Sequence, residues 1–225
     1  MRNPWMDLPH HAPFVLSEDA KAIADFNRTA NESTRIHLEL FPEPFLGDPT
    51  SPVVLLSLNP GFSDDDARCH ADPTFASLSR ANLEHRLSDH PFYLINPVVR
   101  GPGRNWWDRR LGCLLESASR EVVAKRVSCV ELFGYHSRQF AHERLRLPSR
   151  GYGAYLARQA LARDAVIVLT RSRRLWFGSV PELRKYPRLF VLRSVQNTTI
   201  SPRNCPSGFE DIVAALKVPA LKGSG

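Results

Sequence analysis

Four short runs of apolar residues, separated by helical patterns, constrain the fold of this chain more than any other feature. The runs span residues 52–58, 127–133, 165–170 and 188–192. Runs that are apolar on both faces are typical of strands in parallel sheets, because helices cover both sides of such sheets. Residues 92–95 form a fifth candidate strand.

Helical patterns occupy the segments between these strands. They are predicted over residues 17–31, 73–87, 105–117, 151–163, 171–176 and 209–217, and the proline-rich residues 41–49 are predicted to form a loop. Strands that alternate with helices predict the α/β class. We therefore expect a three-layer αβα fold around a central, mostly parallel sheet of four to five strands.

The length of the chain, 225 residues, suits one domain and is short for two. We expect a single domain over residues 1–225, with an extended segment at residues 1–16 and a flexible tail at residues 218–225. Residues 1–13 lack the apolar core of a signal peptide, and no run approaches the roughly 18 apolar residues of a membrane span. The sequence therefore predicts a monomeric protein of the cytoplasm without a membrane partner.

The basic residues are mostly arginine. Of 30 basic residues, 25 are Arg and five are Lys, and the net charge is +7. Arginine binds phosphates through paired hydrogen bonds and stacks on bases, so this bias favours a nucleic-acid partner. A genome-wide preference for arginine explains the same bias equally well, because the arginines are dispersed along the chain.

The sequence does not indicate a metal centre. The cysteines are Cys69, Cys113, Cys129 and Cys205, and their spacing matches no common zinc pattern. Asp64, Asp65 and Asp66 could bind a divalent cation, but we expect them to cap the helical turn that follows. We therefore predict no metal or other cofactor.

The segment Asn59-Pro60-Gly61-Phe62 directly follows the first apolar run. Ligands of open parallel sheets bind beyond the carboxyl ends of the strands, so this position is a candidate site. Pro60 fixes one backbone angle and Gly61 permits a left-handed turn, which would hold the Asn59 amide at the strand tip. That amide can both donate to and accept from one water molecule, and so can position it. The alternative is a simple turn.

Other strand ends carry polar and basic residues. Asn96 follows the fifth candidate strand, and Arg100 and Arg104 lie just before Trp106 and Trp107. This mixture suits a sugar-phosphate backbone with base stacking, although at least one tryptophan is expected in the core.

Three further positions have two interpretations each. His136 could donate to a leaving base, or it could be a structural imidazole beside Ser137, which would cap a helix beginning at Arg138. Arg173 lies in a basic helix N-terminus that suits a phosphate or simply faces solvent. The polar loop at residues 196–204 is either a binding element or ordinary surface.

In their order, these elements resemble the uracil-DNA glycosylase superfamily. The apolar strand with Asn59-Pro60-Gly61 is similar to the first motif of the mismatch-specific thymine/uracil branch, in which the Asn positions the attacking water. Residues 165–176 resemble the superfamily's third strand and its helix. Residues 196–204 lie where the superfamily has its second motif, a wedge for the minor groove. The resemblance covers roughly residues 53–204.

The resemblance implies a uracil-DNA glycosylase-like domain that hydrolyses the N-glycosidic bond of a flipped, damaged or mispaired base in DNA. It implies catalytic roles for Asn59, His136 and Asn197. The implied substrate-binding residues are Gly61, Phe62, Asn96, Tyr135 and Gln196. The implied nucleic-acid-binding residues are Arg100, Arg104, Arg173, Ser201, Pro202, Arg203 and Asn204.

The chain departs from this superfamily at two places. The second motif usually reads His-Pro-Ser, but residues 196–198 are Gln-Asn-Thr, so Asn197 or His136 would have to stabilise the leaving group. The pyrimidine-reading Asn has no direct counterpart, and Asn96 and Tyr135 are both candidates. Two alternatives therefore stay open: a non-catalytic nucleic-acid-binding module, and an enzyme that acts on small nucleosides or nucleotides.

Overall fold

The structure is a computed structural model that describes residues 1–194 and 196–217. The flexible tail predicted at residues 218–225 lies outside the described residues. The strands are β1 (Phe45–Leu46), β2 (Val53–Ser57), β3 (Val127–Glu131), β4 (Val166–Leu169) and β5 (Leu189–Val191). The α-helices are α1 (Ser17–Asn27), α2 (Asp66–His70), α3 (Pro73–Leu83), α4 (Pro102–Arg110), α5 (Gly112–Ser117), α6 (Arg120–Arg126), α7 (Arg150–Ala162), α8 (Arg173–Ser179) and α9 (Phe209–Lys217). Short 3-10 helices span Pro4–Asp7, Tyr93–Ile95 and Pro181–Lys185.

The five strands form one mostly parallel sheet in the order β1-β3-β2-β4-β5. Only β1 runs antiparallel, and it pairs with β3 at the edge. In the centre, β2 pairs in parallel with both β3 and β4, and Ser57 lies opposite Glu131. This arrangement confirms the predicted α/β class, and it places the last residues of β2 and β3 side by side.

The two faces of the sheet belong to separate hydrophobic cores. Val54 and Leu56 pack into a core that includes residues of α1, α7 and α8. Val53 and Leu55 point into the other core, with residues of α4, α5, α6 and α9. Every residue of β2 is buried, as expected for a strand covered on both faces. The fold is therefore compatible with three αβα layers.

The strand predicted at residues 92–95 is wrong, because Tyr93–Ile95 is a 3-10 helix. Its hydrogen bonds are local: the Ile95 N–H donates to Phe92 O at 3.1 Å, and the Asn96 N–H donates to Tyr93 O at 2.9 Å. All three residues are buried, so a short apolar run here reflects a buried turn rather than a strand.

Three further sequence expectations need correction. The loop predicted at residues 41–49 contains β1, whose two residues add an antiparallel edge to the sheet. Helix α6 was not predicted, although Ser119 caps it by accepting a hydrogen bond from the Val122 N–H at 3.2 Å. The N-terminal segment is not wholly extended, since Pro4–Asp7 forms a 3-10 turn that buries Trp5.

Candidate functional site

A cleft of about 350 Å³ opens beyond the carboxyl ends of the central strands. Its walls include residues 58–63 after β2, Glu131 and residues 136–138 at the end of β3, and Arg171 after β4. Helix α4 adds several residues, among them Trp106 and Trp107. From β2 the chain passes to β3 on one side and then to β4 on the other. Doubly wound sheets bind ligands at such a switch point.

The side chain of Asn59 is held in one orientation. Its Nδ2 donates to the carbonyl oxygen of Pro60 at 2.8 Å and to Oγ of Ser137 at 3.0 Å. A carbonyl oxygen can only accept, so the contact with Pro60 fixes which end of the amide is nitrogen. Both amide hydrogens are thus used within the protein. Oδ1 is left as the acceptor that Asn59 can offer to the cleft.

The loop that carries Asn59 is tied to the loop after β3. The Phe133 N–H donates to the carbonyl of Leu58 at 2.9 Å, and the Ser137 N–H reaches the carbonyl of Pro60 at 3.4 Å. Ser137 does not cap a helix at Arg138, because no helix begins there. Its hydroxyl accepts from Asn59 instead. The two loops therefore form one connected wall of the cleft.

His136 contacts two backbone carbonyl oxygens with its ring. Nδ1 lies 2.6 Å from Gly61 O and Nε2 lies 3.0 Å from Phe41 O. Both hydrogen bonds can form together only in the imidazolium, because each ring nitrogen must donate. The residue is only 4% exposed. These contacts favour the structural interpretation of His136, in which it holds the Asn59 loop against the segment before β1.

Glu43 and His70 lie beside His136 on the buried side of the cleft. Burial raises the pKa of the Glu43 carboxyl, which accepts a hydrogen bond from the Tyr93 hydroxyl at 3.2 Å. Burial and the charge of His136 lower the pKa of His70 well below its usual range. His70 is therefore neutral at pH 7. Since its Nδ1 accepts from the Phe41 N–H at 3.0 Å, its proton is on Nε2.

This trio does not form a good metal site. The ligand atoms of Glu43, His70 and His136 lie within 4.8 Å of one another, and they are the one such group within residues 1–194 and 196–217. However, both nitrogens of His136 face carbonyl oxygens, and Nδ1 of His70 is already an acceptor. Only Nε2 of His70 and Glu43 remain, fewer ligands than zinc sites use.

Glu131 is the main site residue that the sequence reasoning missed. It is the last residue of β3, is 6% exposed and lines the cleft. Burial raises the pKa of its carboxyl to about 8, against the opposing charge of Arg110. Oε2 has no hydrogen-bond partner, and Oε1 has only the weak contact with Cys129 Sγ at 3.6 Å. The one signal in the sequence was an acid inside the apolar run at residues 127–133.

A row of buried polar groups continues from Glu131 across the sheet. Ser57 Oγ lies 2.9 Å from Thr170 Oγ1, and Arg110 donates to Ser57 Oγ at 3.2 Å. The guanidinium of Arg110 also stacks over Trp106, 4.3 Å from the ring centroid. Burial lowers the pKa of Arg110 to about 10, so it remains a cation at pH 7. The last residue of α4 is thus a buried positive charge beside the end of β2.

Five arginines surround the cleft, and we call them the arginine rim: Arg100, Arg104, Arg109, Arg138 and Arg171. Arg104 pairs with Asp108 at 2.5 Å, Arg138 pairs with Asp64, and Arg100 bonds backbone carbonyl groups. The side chain of Arg109 is exposed and has no hydrogen bond or ion pair with any described residue. Fixed cations around a concave site suit a phosphate-bearing ligand.

The predicted site residues do not all come together. Asn59, Gly61, Phe62, His136, Arg100 and Arg104 line the cleft, whereas Asn96, Tyr135 and Arg173 do not. Tyr135 is buried in the core, where its hydroxyl donates to Asp19 at 2.8 Å. The Asn96 side chain accepts from the Val98 N–H at 3.0 Å. The guanidinium of Arg173 lies over Phe177. These contacts leave Tyr135 poorly placed to read a base in the cleft.

The polar loop at residues 196–204 is stabilised by its own side chains. Asn204 donates to the carbonyls of Asn197 at 2.7 Å and Thr199 at 2.9 Å. Oδ1 of Asn197 accepts from the Thr199 N–H at 3.1 Å. None of Gln196, Asn197, Ser201, Pro202, Arg203 and Asn204 lines the cleft. The expectation that Asn197 converges with Asn59 and His136 on one cleft is therefore not met.

The ring of Phe62 is stacked rather than free. It lies parallel to the ring of His37, with centroids 3.6 Å apart, and the Arg138 guanidinium lies 5.3 Å from its centroid. The prediction that the neighbouring aspartates cap the following helix is wrong: Asp65, the N-cap residue of α2, makes no side-chain cap hydrogen bond. Asp66, in the first turn of α2, instead accepts from the N–H of Ser63 at 2.6 Å and from its hydroxyl at 2.9 Å.

No family model, no curated protein and no solved structure matches this chain. Within residues 1–194 and 196–217, no helix combines the length and the apolar composition that are needed to cross a membrane. Inference about function therefore depends on the chemistry of the cleft.

Proposed function

We propose that this chain is a uracil-DNA glycosylase-like N-glycosylase that hydrolyses the N-glycosidic bond of a base flipped into the cleft. The observation that carries the proposal is the orientation of Asn59. Its amide hydrogens are donated to Pro60 and Ser137, so Oδ1 is the atom that can accept a hydrogen bond from a water. That water would be directed at C1′ of the sugar.

An amide is too weak a base to remove a proton from water before the bond breaks. The reaction would therefore pass through a sugar with oxocarbenium character, and the water would be captured as positive charge develops. Electrostatic stabilisation and placement would supply most of the rate enhancement. Because the buried carboxyl of Glu131 is uncharged, it would not repel the negative charge that develops on the departing base.

The charge distribution supports a nucleotide as ligand. The arginine rim would contact phosphates, while the carboxyl of Glu131 below it is mainly uncharged at pH 7. The cleft volume of about 350 Å³ lies near the lower end of the roughly 300–1,000 Å³ typical of ligand pockets. That size suits one flipped nucleotide, whose extrusion costs a few kcal/mol and least for a damaged or mispaired base.

The proposal is tested with oligonucleotides that carry uracil, hypoxanthine, xanthine or mismatched thymine, each scored for abasic sites. We expect abasic sites on at least one of these substrates and none on the matched undamaged duplex. Base release from none of them, in either single- or double-stranded form, would contradict the proposal.

A non-catalytic nucleic-acid-binding module is the second candidate. It is favoured by the positions of the two expected leaving-group donors: the His136 ring contacts backbone carbonyls, and Asn197 lies outside the cleft. This candidate predicts salt-sensitive oligonucleotide binding without base release from any lesion.

A further inference from the structure

We propose that Glu131 reads the base, and that it does so as the neutral carboxylic acid by pairing with an edge that carries a carbonyl oxygen next to a ring N–H. The inference rests on the proposed function only in taking the ligand to be a nucleobase. It assigns no part in bond cleavage to Glu131. It names the ligand class as bases with such a lactam edge, which include uracil, thymine and hypoxanthine.

The position of the carboxyl group is the first argument. Glu131 ends β3 directly opposite Ser57, so the sheet itself fixes its backbone. It lines the same cleft as Asn59. Its Oε2 is buried without a hydrogen-bond partner. A buried polar atom without a partner costs free energy, and a ligand that hydrogen-bonds there would recover part of this cost.

The surrounding charges are the second argument. The charged or titratable groups that act on Glu131 are Arg110, Glu43, Cys129 and Arg171. Arg110 opposes protonation but donates to Ser57 and stacks on the tryptophans, and the structure gives it no ion pair with Glu131. Burial outweighs its effect and raises the pKa of Glu131 to about 8. At pH 7 the carboxyl group is therefore mainly protonated.

The protonated form determines which base edge can be read. A neutral carboxyl group offers one O–H donor and one carbonyl acceptor, side by side. A lactam edge offers the complementary acceptor and donor. The ionised carboxylate has only acceptors and would repel the carbonyl oxygen of the base. Glutamine keeps one donor and one acceptor in nearly the same shape, so Glu131→Gln imitates the neutral acid at every pH.

The test measures how much of the DNA affinity depends on the base. Single- and double-stranded oligonucleotides carry a 2′-fluoro nucleotide of uracil or hypoxanthine, since fluorine destabilises positive charge on the sugar and blocks hydrolysis. Matched oligonucleotides carry a tetrahydrofuran abasic analogue at the same position. The ratio of the two Kd values is determined for the wild type, Glu131→Gln and Glu131→Ala, at about pH 6 and about pH 9, either side of the Glu131 pKa of about 8.

For at least one base, we expect the wild-type ratio to favour the base-containing oligonucleotide by roughly tenfold at the lower pH. The preference should fall toward one at the higher pH. Glu131→Gln should keep the base preference at both pH values, and Glu131→Ala should lack it at both. Because Gln does not titrate, the Glu131→Gln variant also controls for ionisation of the base itself.

Three outcomes would overturn the inference: no base preference in the wild type, a preference that does not change with pH, or loss of the preference in Glu131→Gln. The last result would show that a neutral donor and acceptor at this position do not maintain the preference. Base release in the lesion panel is scored separately. A chain that shows the predicted preferences but releases no base would refute the proposed function and leave this inference intact.

Discussion

The amide of Asn59 donates a hydrogen bond of 3.0 Å to the hydroxyl of Ser137, 78 residues further along the chain. This contact joins the loop after β2 to the loop after β3, and both loops line the cleft. Because the second amide hydrogen goes to Pro60, the direction of Oδ1 is set by the fold before any ligand binds. Preorganised acceptors of this kind are most effective when they need not move during the reaction.

Ser137→Ala removes one of the two acceptors that orient Asn59. A hydrogen bond of this type contributes about 1 kcal/mol, so we expect the single-turnover rate of base release to fall roughly fivefold. DNA affinity should not change, since Ser137 orients Asn59 rather than binding the nucleic acid. The matched control is Ser207→Ala, at an exposed serine outside the cleft. A fall in DNA affinity without a fall in rate would contradict the positioning role.

His136→Ala should lower the stability of the protein. The substitution removes the imidazole ring that contacts the carbonyls of Gly61 and Phe41, and each buried acceptor left without a partner costs about 1–3 kcal/mol. We expect the free energy of unfolding in urea to fall by at least about 2 kcal/mol. His10→Ala, at an exposed histidine, is the control. Loss of base release with unchanged stability would instead support a direct chemical role for His136.

Glu131 should make stability depend on pH. Its pKa is about 8 in the folded protein and 4.5 in the reference state, so the folded protein binds this proton more tightly than the unfolded chain. The contribution of Glu131 to the free energy of unfolding is therefore fully present below about pH 4.5, and it is lost as pH rises through about 8. The shift corresponds to at most about 5 kcal/mol.

Glu131→Gln should remove this contribution, and urea unfolding of both proteins between pH 5 and about pH 9 measures it. The stability of the variant relative to the wild type should rise across this range. Part of the pH dependence will persist in the variant, because the pKa of Glu43 is also raised by burial. Parallel stability curves for the two proteins would show that Glu131 is already ionised at neutral pH.

Arg109 should contribute to DNA binding through charge alone. It belongs to the arginine rim and has no partner among the residues that the structure describes. Each phosphate that a protein neutralises adds about 0.7–0.9 to the slope of log K against log salt. Arg109→Ala should reduce the slope by about this amount, and Arg146→Ala, at an exposed arginine away from the cleft, should not. Equal salt slopes for the two variants would show that Arg109 does not contact the DNA phosphates.

The fold was largely predictable because the central strands are apolar on both faces, a pattern that few other structures produce. The four predicted parallel strands match β2, β3, β4 and β5 to within two residues at each end. Residues 92–95 failed because burial alone does not distinguish a strand from a buried 3-10 turn. The two-residue strand β1 is too short to show any periodicity.

The site was predictable only where the chain itself fixes the geometry. Asn59 lies in the cleft because Pro60 and Gly61 end the strand there. Glu131 was missed because it lies inside a run assigned to the core, and the sequence does not show that its carboxyl is buried close to Arg110 and Glu43. Asn197 was misplaced for a similar reason, since its loop folds on itself through Asn204.

The most direct test of the account pairs two measurements on Asn59→Ala: the rate of abasic-site formation on the best substrate of the lesion panel, and the affinity for the same oligonucleotide. Gln159→Ala, at an exposed amide on α7, is the control. We predict that Asn59→Ala loses base release while its DNA affinity stays within about twofold of the wild type, because only the placement of the water is lost. Full base release by Asn59→Ala would contradict the central claim that this residue positions the attacking water.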